Sequence, residues 1–287
     1  MTDIILETCN LRCQYPDGTI ALQDISITIK KGKKIALLGT NGAGKSTLLL
    51  HLIALIKPTS GKIFFQGKEL HYNRSSLANL RSRVGLVFQD PESQLFAPSV
   101  RQEVSFGPIN LGLAKKQVEE RVFSSLELSG IPHLVDKPVH LLSYGQKKLV
   151  SIAAVLAMKP ELLILDEPTA SLDPHNSKEI MQLLNTLNQK GMSVLLVTHN
   201  VEEAYGFADE IILMNNGLIT GQGTPEIILS QDELLADNHL TKPIVLEIFN
   251  SLQLAGHLPK NLPIPRSRQA LMDLIQNNTP IQDNNGR

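Results

Sequence analysis

The chain has 287 residues, 42% of them hydrophobic, enough to bury one large or two modest cores at roughly 150 residues per domain. With 27 basic and 28 acidic residues the formal net charge is −1, so no global field marks a binder of nucleic acid or of an anionic membrane surface. Two cysteines, Cys9 and Cys13, have no partner at metal-ligand spacing, which excludes a secreted disulfide scaffold and suggests reduced thiols in a cytosolic setting. The opening "MTDIILETCN" lacks a signal-peptide pattern. The longest apolar run, residues 48–56, is shorter than the roughly 20 residues of a membrane span, so membrane work would need a partner.

From Asp3 to Lys30 the pattern is strand-like, with Ile25, Ile27 and Ile29 alternating and "YPDGT" (15–19) supplying a turn. A short apolar strand (34–39), a glycine-rich loop and a helix (45–56) make one half of a βα unit. Further strands are expected at 62–66, 84–89, 161–166 and 193–199. Several are apolar throughout, as strands covered on both faces are. Helices fit at 115–128, 146–158, 174–190 and 200–207, and residues 212–220 read as a hairpin with an Asn-Gly turn. Beyond Pro225, helices at 226–235 and 243–254, a Pro-interrupted link (257–265) and a short helix near 267–276 lead to a polar tail. The fold class expected is α/β: a phosphate-loop core with a mixed or parallel sheet, an N-terminal antiparallel β subdomain, a helical signature subdomain and a small C-terminal helical appendage. The domains read as 1–230 with the helical part at about 91–159, an extension at 231–276, and a disordered tail at 277–287.

Gly39-Thr40-Asn41-Gly42-Ala43-Gly44-Lys45-Ser46-Thr47 fits the phosphate-loop pattern between a strand and a helix. Its backbone N–H groups would curl around phosphates at a helix N-terminus, Lys45 would reach the β and γ phosphates, and Ser46 would sit on Mg²⁺. Four apolar residues run into Asp166 and Glu167, delivering two carboxylates at the strand end where open α/β sheets bind ligands. Asp166 would hold the metal through water, and Glu167 would polarise the attacking water. Gln89 and His199 end two further strands; alone each is an ordinary polar strand terminus, but both reach the edge shared by Asp166 and Lys45.

In this order the motifs resemble the nucleotide-binding subunits of ATP-binding cassette (ABC) transporters over about residues 3–230: the phosphate loop, Gln89, "LSYGQ" (142–146), "LLILDEP" (162–168), "SLD" (171–173) and His199. The resemblance implies that Tyr15 stacks on adenine, that Gln89 contacts Mg²⁺ or the lytic water, and that His199 holds the γ-phosphate. It further implies that Asp173 speaks to a second ATPase subunit, homo- or heterodimeric, whose signature residues Ser143, Gly145 and Gln146 cap ATP held by the opposite phosphate loop. Tyr15 as plain turn packing stays open, and Asp173 followed by Pro174 is also a good helix N-cap. Long coiled coils or zinc modules, as in DNA-repair relatives of the family, do not fit the 53 residues between Gln89 and Ser143. No nucleic acid is expected.

Residues 87–113 look like the energy-coupling-factor (ECF) ATPases of micronutrient importers, and "LSYGQKK" with "VLAMKPELLILDEPTASLDP" resembles their cobalt/nickel branch. The resemblance implies a transmembrane coupling protein, a substrate-binding membrane component, and a place on the cytoplasmic face of the membrane. A vitamin remains the alternative cargo. Leu95, Phe96 and Val100 read equally as core or as a docking groove. Tyr144 stands where Gly is commonest, and Leu149 where most members carry Arg.

Overall fold

The computed structural model describes residues 3–278. Strand β1 (Ile4–Gln14) pairs antiparallel with β2 (Ile20–Ile25) across the Pro-Asp-Gly turn, and β3 (Thr28–Lys30) also pairs with β1. In the turn, Gly18 takes φ +91 and the Asp17 carboxylate accepts the Thr19 N–H at 2.9 Å. Strand β4 (Lys34–Leu38) then runs into the glycine loop and helix α1 (Lys45–Leu52). That helix stops four residues before the expected position. Arg81 takes the Ile53 and Ala54 carbonyls at 3.3 and 2.8 Å, and Ala54 turns to φ +53, so the free helix end is satisfied from outside.

Strands β5 (Ser60–Phe65) and β6 (Lys68–Glu69) complete the antiparallel sheet, order β2-β1-β5-β6, so residues 62–66 belong there and not to the parallel core. Helix α2 (Arg74–Arg81), capped by Asn73, leads to β7 (Val84–Val87), which ends two residues earlier than expected. Helices α3 (Val100–Asn110), α4 (Lys115–Leu128) and α5 (Tyr144–Leu156) form the helical insertion around Val100, Val104, Val122, Leu126 and Ala153. In the sequence α3 is masked by Gly107-Pro108, which reads as a breaker. Here the Pro sits in the last turn, and a Cβ at Gly107 would come 2.6 Å from Met158.

Strand β8 (Leu162–Asp166), α6 (Pro174–Gln189), β9 (Ser193–Thr198), α7 (Val201–Phe207) and the hairpin β10 (Glu210–Asn215) and β11 (Leu218–Gly223) finish a six-stranded sheet of order β11-β10-β4-β9-β8-β7. Only β11 is antiparallel. The registers Leu38 to Thr198, Asp166 to Val197 and Val87 to Leu165 line up the C-terminal ends of four strands. The glycine loop, Gln89, Asp166 and His199 therefore leave the sheet at one edge.

The C-terminal segment begins with two short helices, α8 (Pro225–Ile228) and α9 (Asp232–Asp237), where the sequence predicts one helix over 226–235. Helices α10 (Ile244–Leu254) and α11 (Arg268–Asn278) follow. Leu229, Leu235 and Leu246 bury against α7 and β10, whereas Phe249, Leu258 and Leu271 make a small cluster of their own. Most of the tail expected at 277–287 lies outside the described residues.

Candidate nucleotide site

The glycine loop lies under β10 and β2, and two of its glycines are dictated by that closeness. A Cβ on Gly39 would stand 2.3 Å from the Met214 carbonyl oxygen, and one on Gly44, at φ +100, would stand 2.6 Å from the Ala21 oxygen. Beside the loop is a cleft of about 520 Å³, a volume suited to a nucleotide. Tyr15, Asn41 to Thr47, Gln89, Asp166 and Glu167 line it, joined by Ala21, Asn216 and Gly217. Asn216-Gly217 is legible in the sequence only as a hairpin turn. Its place here comes from the Gly217 N–H bonding the Ala43 carbonyl at 2.9 Å.

Lys45 is buried, its Nζ donating to the Gly39 and Thr40 carbonyls at 2.7 and 3.1 Å. Burial lowers its pKa from the usual lysine value, against the pull of Glu167 and Asp166. Burial, then the neighbouring Glu167 charge, raise the Asp166 pKa, with Lys45 and Ser46 opposing. Ser46 Oγ donates to Asp166 Oδ2 at 3.4 Å, and the Tyr15 hydroxyl lies 2.9 Å from Thr47 Oγ1. A hydroxyl and a carboxylate side by side, with Gln89 lining the same cleft, are the hard oxygen donors that Mg²⁺ takes, so the residues present fit that ion.

Glu167 is buried at φ +44, a left-handed conformation uncommon for a side chain of this size. Its N–H bonds the Val197 carbonyl at 2.8 Å, Thr198 Oγ1 donates to Oε2 at 3.4 Å, and His199 Nδ1 lies 2.8 Å from Oε1. The strand ends of β8 and β9 thus fix the carboxylate beside the imidazole. Sequence reasoning misses Thr198, because a Thr ending a strand carries no distinctive signal.

Ser143, Gly145, Gln146 and Asp173 are not among the cleft's lining residues. Ser143 caps α5 with Gln146 in a reciprocal box: the Gln146 N–H donates to Ser143 Oγ at 3.3 Å, and the Ser143 N–H to Gln146 Oε1 at 3.1 Å. Gly145 meets Asn176 of α6, where a Cβ would come 3.0 Å from the amide carbon. Asp173 caps α6 by accepting the His175 and Asn176 N–H groups, and these bonds hold its carboxyl below the usual range. The loop after β7 is tied to α5 by the Tyr144 hydroxyl, which donates to the Gln89 carbonyl at 3.4 Å, and by Lys148. Of the doubtful apolar trio, Val100 is core, Leu95 packs against it, and Phe96 is 65% exposed, edge-on to Phe106 with centroids 4.7 Å apart.

The family profile described as "ABC transporter" matches residues 22–170, from β2 to just past Glu167. The chain belongs to the ABC transporter ATPase family. A putative ABC transporter ATP-binding protein of Methanosarcina mazei is 48% identical over 91% of this chain, which spans only 58% of that protein. The energy-coupling factor transporter ATP-binding protein EcfA of Methanocaldococcus jannaschii is 46% identical over 89% of this chain and 91% of its own length. Among solved structures, CbiO1 of Clostridium perfringens, part of the ABC transporter complex CbiONQ, superposes with TM-score 0.76 at 41% identity, covering 88% of this chain and 100% of its own. A dimeric ATP-binding cassette bound to ADP and Pi superposes at 0.71 with 27% identity, over 77% of this chain and 99% of its own. This ABC chain binds ATP, and its ATP hydrolysis is coupled to transport. Among the described residues no helix is long and apolar enough to cross a membrane.

Proposed function

We propose that this ABC ATPase is the energy-coupling subunit of an ECF-type importer, working at the cytoplasmic face of a membrane as one half of an ATPase dimer. The observation that carries the dimer is the separation of the signature residues from the cleft: Ser143 and Gly145 open a capped helix that does not line the phosphate loop of its own chain. A helix N-terminus suits a γ-phosphate held by the opposite subunit.

Within the site, the loop amides and Lys45 bind the phosphates, Lys45 exchanging its Gly39 and Thr40 carbonyls for phosphate oxygens. Tyr15 offers its ring to the base. Ser46, Asp166 and Gln89 would hold Mg²⁺, which supplies charge neutralisation on the transferred phosphoryl group. Glu167 accepts the proton of the attacking water, and His199, bonded to that carboxylate, orients it and meets the γ-phosphate. The division at residue 230, with the helical part at 91–159, belongs to the same reading. So does a transmembrane partner seated near the exposed Phe96 and Phe106.

For the cargo we favour cobalt or nickel ions, on the resemblance of "LSYGQKK" and the "VLAMKPELLILDEPTASLDP" that follows to the cobalt/nickel branch. The EcfA relatives, whose names state no cargo, keep a vitamin importer as the second reading. The ATPase reading is tested by Mg²⁺-dependent hydrolysis with the purified chain, where no ATP turnover would end it. Uptake of radiolabelled Co²⁺, Ni²⁺ or vitamins into proteoliposomes holding the chain with its co-purified membrane partners decides the cargo.

A further inference from the structure

Helix α7 starts immediately after His199 and is bonded to it through the chain: Asn200 caps the helix by accepting the Glu202 and Glu203 N–H groups at 3.0 and 3.3 Å, while its own N–H donates to Thr198 Oγ1 at 3.0 Å. Glu203 accepts the Thr169 hydroxyl on both oxygens, at 2.7 and 2.8 Å, two residues beyond Glu167. Seven residues of helix span only about 10 Å, so a shift at the far end of α7 is felt at His199.

That far end is held by the C-terminal segment. The Tyr205 hydroxyl, buried, donates to the Pro265 carbonyl at 2.9 Å. Arg266 donates from Nη1 to the Ala208 carbonyl at 2.6 Å and from Nε to Glu226 Oε1 at 2.5 Å, joining the end of α7, the start of α8 and the link before α11. On the exposed side, Glu202 Oε1 accepts the Ile244 N–H at the first turn of α10, 2.7 Å away. The link holds Pro259, Pro263 and Pro265, each with a restricted φ, so it is a stiff strap. Arg266 and Tyr205 bond backbone carbonyls, which fixes the main chain at both sides of the contact.

We infer that Glu202, Tyr205 and Arg266 are positioning residues for ATP hydrolysis: through them the C-terminal segment clamps α7 and sets where the His199 imidazole stands against Glu167. This rests on the proposed role of His199 at the γ-phosphate. The clamp touches neither nucleotide nor reacting atoms, so its loss shows in the rate and not in ATP affinity.

The test uses the full chain and single-turnover ATP hydrolysis, with ATP affinity and melting temperature measured alongside. Tyr205→Phe with Glu202→Ala is expected to slow hydrolysis on the order of tenfold, as small misplacements of catalytic groups do, with ATP affinity within about twofold of wild type. Glu202→Gln, which can still accept from Ile244, recovers most of the rate, and Arg266→Met behaves like the double variant. Placed in a His199→Ala background, the same changes cost nothing further, because the group they position is gone. A wild-type rate in the double variant overturns the inference, as does a loss that persists in full without His199. Should Tyr205→Phe fold poorly, Glu202→Ala alone, on the exposed side of α7, is read in the same way: slower hydrolysis supports the clamp and a wild-type rate overturns it. If His199→Ala itself hydrolyses at the wild-type rate, it is the parent reading that fails; a slow His199→Ala beside fast clamp variants sinks the clamp alone.

Discussion

The ammonium of Lys148 lies 2.5 Å from the Gln89 carbonyl oxygen and 2.9 Å from that of Phe88, tying the second turn of the signature helix to the loop after β7. Lys148 is fully buried, and burial, opposed by Asp166 and Asp90, pushes its pKa down to about 8. Lys147 adds an ion pair to Glu92 on the same loop. Helix α5 and the loop that carries Gln89 are thereby tied to each other within one chain.

Lys148→Met removes both carbonyl bonds and is expected to lower kcat by roughly tenfold or more through Gln89 while destabilising the fold, since the part-buried Phe88 and Gln89 carbonyls lose the ammonium donor. The pH dependence has a definite sign. The native pKa of about 8 lies below the ordinary lysine value, so between the two the unfolded chain holds more protons. Stability of the wild type relative to Lys148→Met therefore rises from about pH 8 to about pH 10.5, by no more than about 1.4 kcal/mol per unit. Denaturant melts of both proteins across that range check it; a flat difference refutes the buried-cation account.

Glu167→Gln keeps shape and packing but cannot accept the water proton. Its hydrolysis is expected to fall about 10²–10⁴-fold with ATP binding retained, and sedimentation in ATP is expected to show an accumulated dimer. Hydrolysis at the wild-type rate would place the base elsewhere.

The composite site makes a subunit-mixing prediction. Lys45→Ala spoils a phosphate loop and Ser143→Arg spoils a signature helix, so each protein alone is expected to be inactive. Mixed before assay, they restore hydrolysis at the one interface that joins an intact loop to an intact signature helix. No recovery on mixing, with heterodimers demonstrated, would mean each chain completes its own site.

Ser143→Ala removes a cap that accepts one helix N–H, at a cost of about 1 kcal/mol in thermal or denaturant unfolding. If Ser143 also meets a γ-phosphate, hydrolysis falls further than Ser143→Asp can restore, because Asp caps equally well but repels phosphate. Equal recovery of stability and rate by Asp would reduce Ser143 to its cap.

Leu149 is half-buried and lines a hollow with Asn176, Glu179 and Gln182 between α5 and α6. Leu149→Arg puts a guanidinium among those polar groups and is expected to raise kcat a few-fold without loss of melting temperature. Leu149→Ala only opens a gap, costing about 1–3 kcal/mol for a partly buried leucine. A fall in kcat with Arg would show that the Leu is tuned to this chain's own packing.

Strand, glycine loop and helix, the apolar runs ending in Asp166 and His199, and the helical insertion are all legible in the chain, because each is a local pattern: a continuous apolar run for a doubly covered strand, a glycine series for a phosphate cradle. Helix α3 is not, since Gly107-Pro108 speaks locally against helix and only the close approach of Met158 explains the glycine. Lys148 sits three residues from Gly145 and four from Ile152, both buried on the same helix face. That spacing marks a buried position, yet which carbonyls it meets depends on a loop about sixty residues away.

Sequence by itself determined the family, the nucleotide loop and the identity of the polar groups at the sheet edge, because these depend on residue type at fixed short spacing. Tertiary structure alone decided that Glu167 is held by Thr198 and His199, that Gln89 answers to the signature helix through Lys148, and that the C-terminal segment grips α7 through Tyr205 and Arg266. The reason is physical. Each of these contacts joins segments about 30 to 60 residues apart, and a hydrogen bond at that separation is set by how strands register and helices pack, which no local pattern encodes.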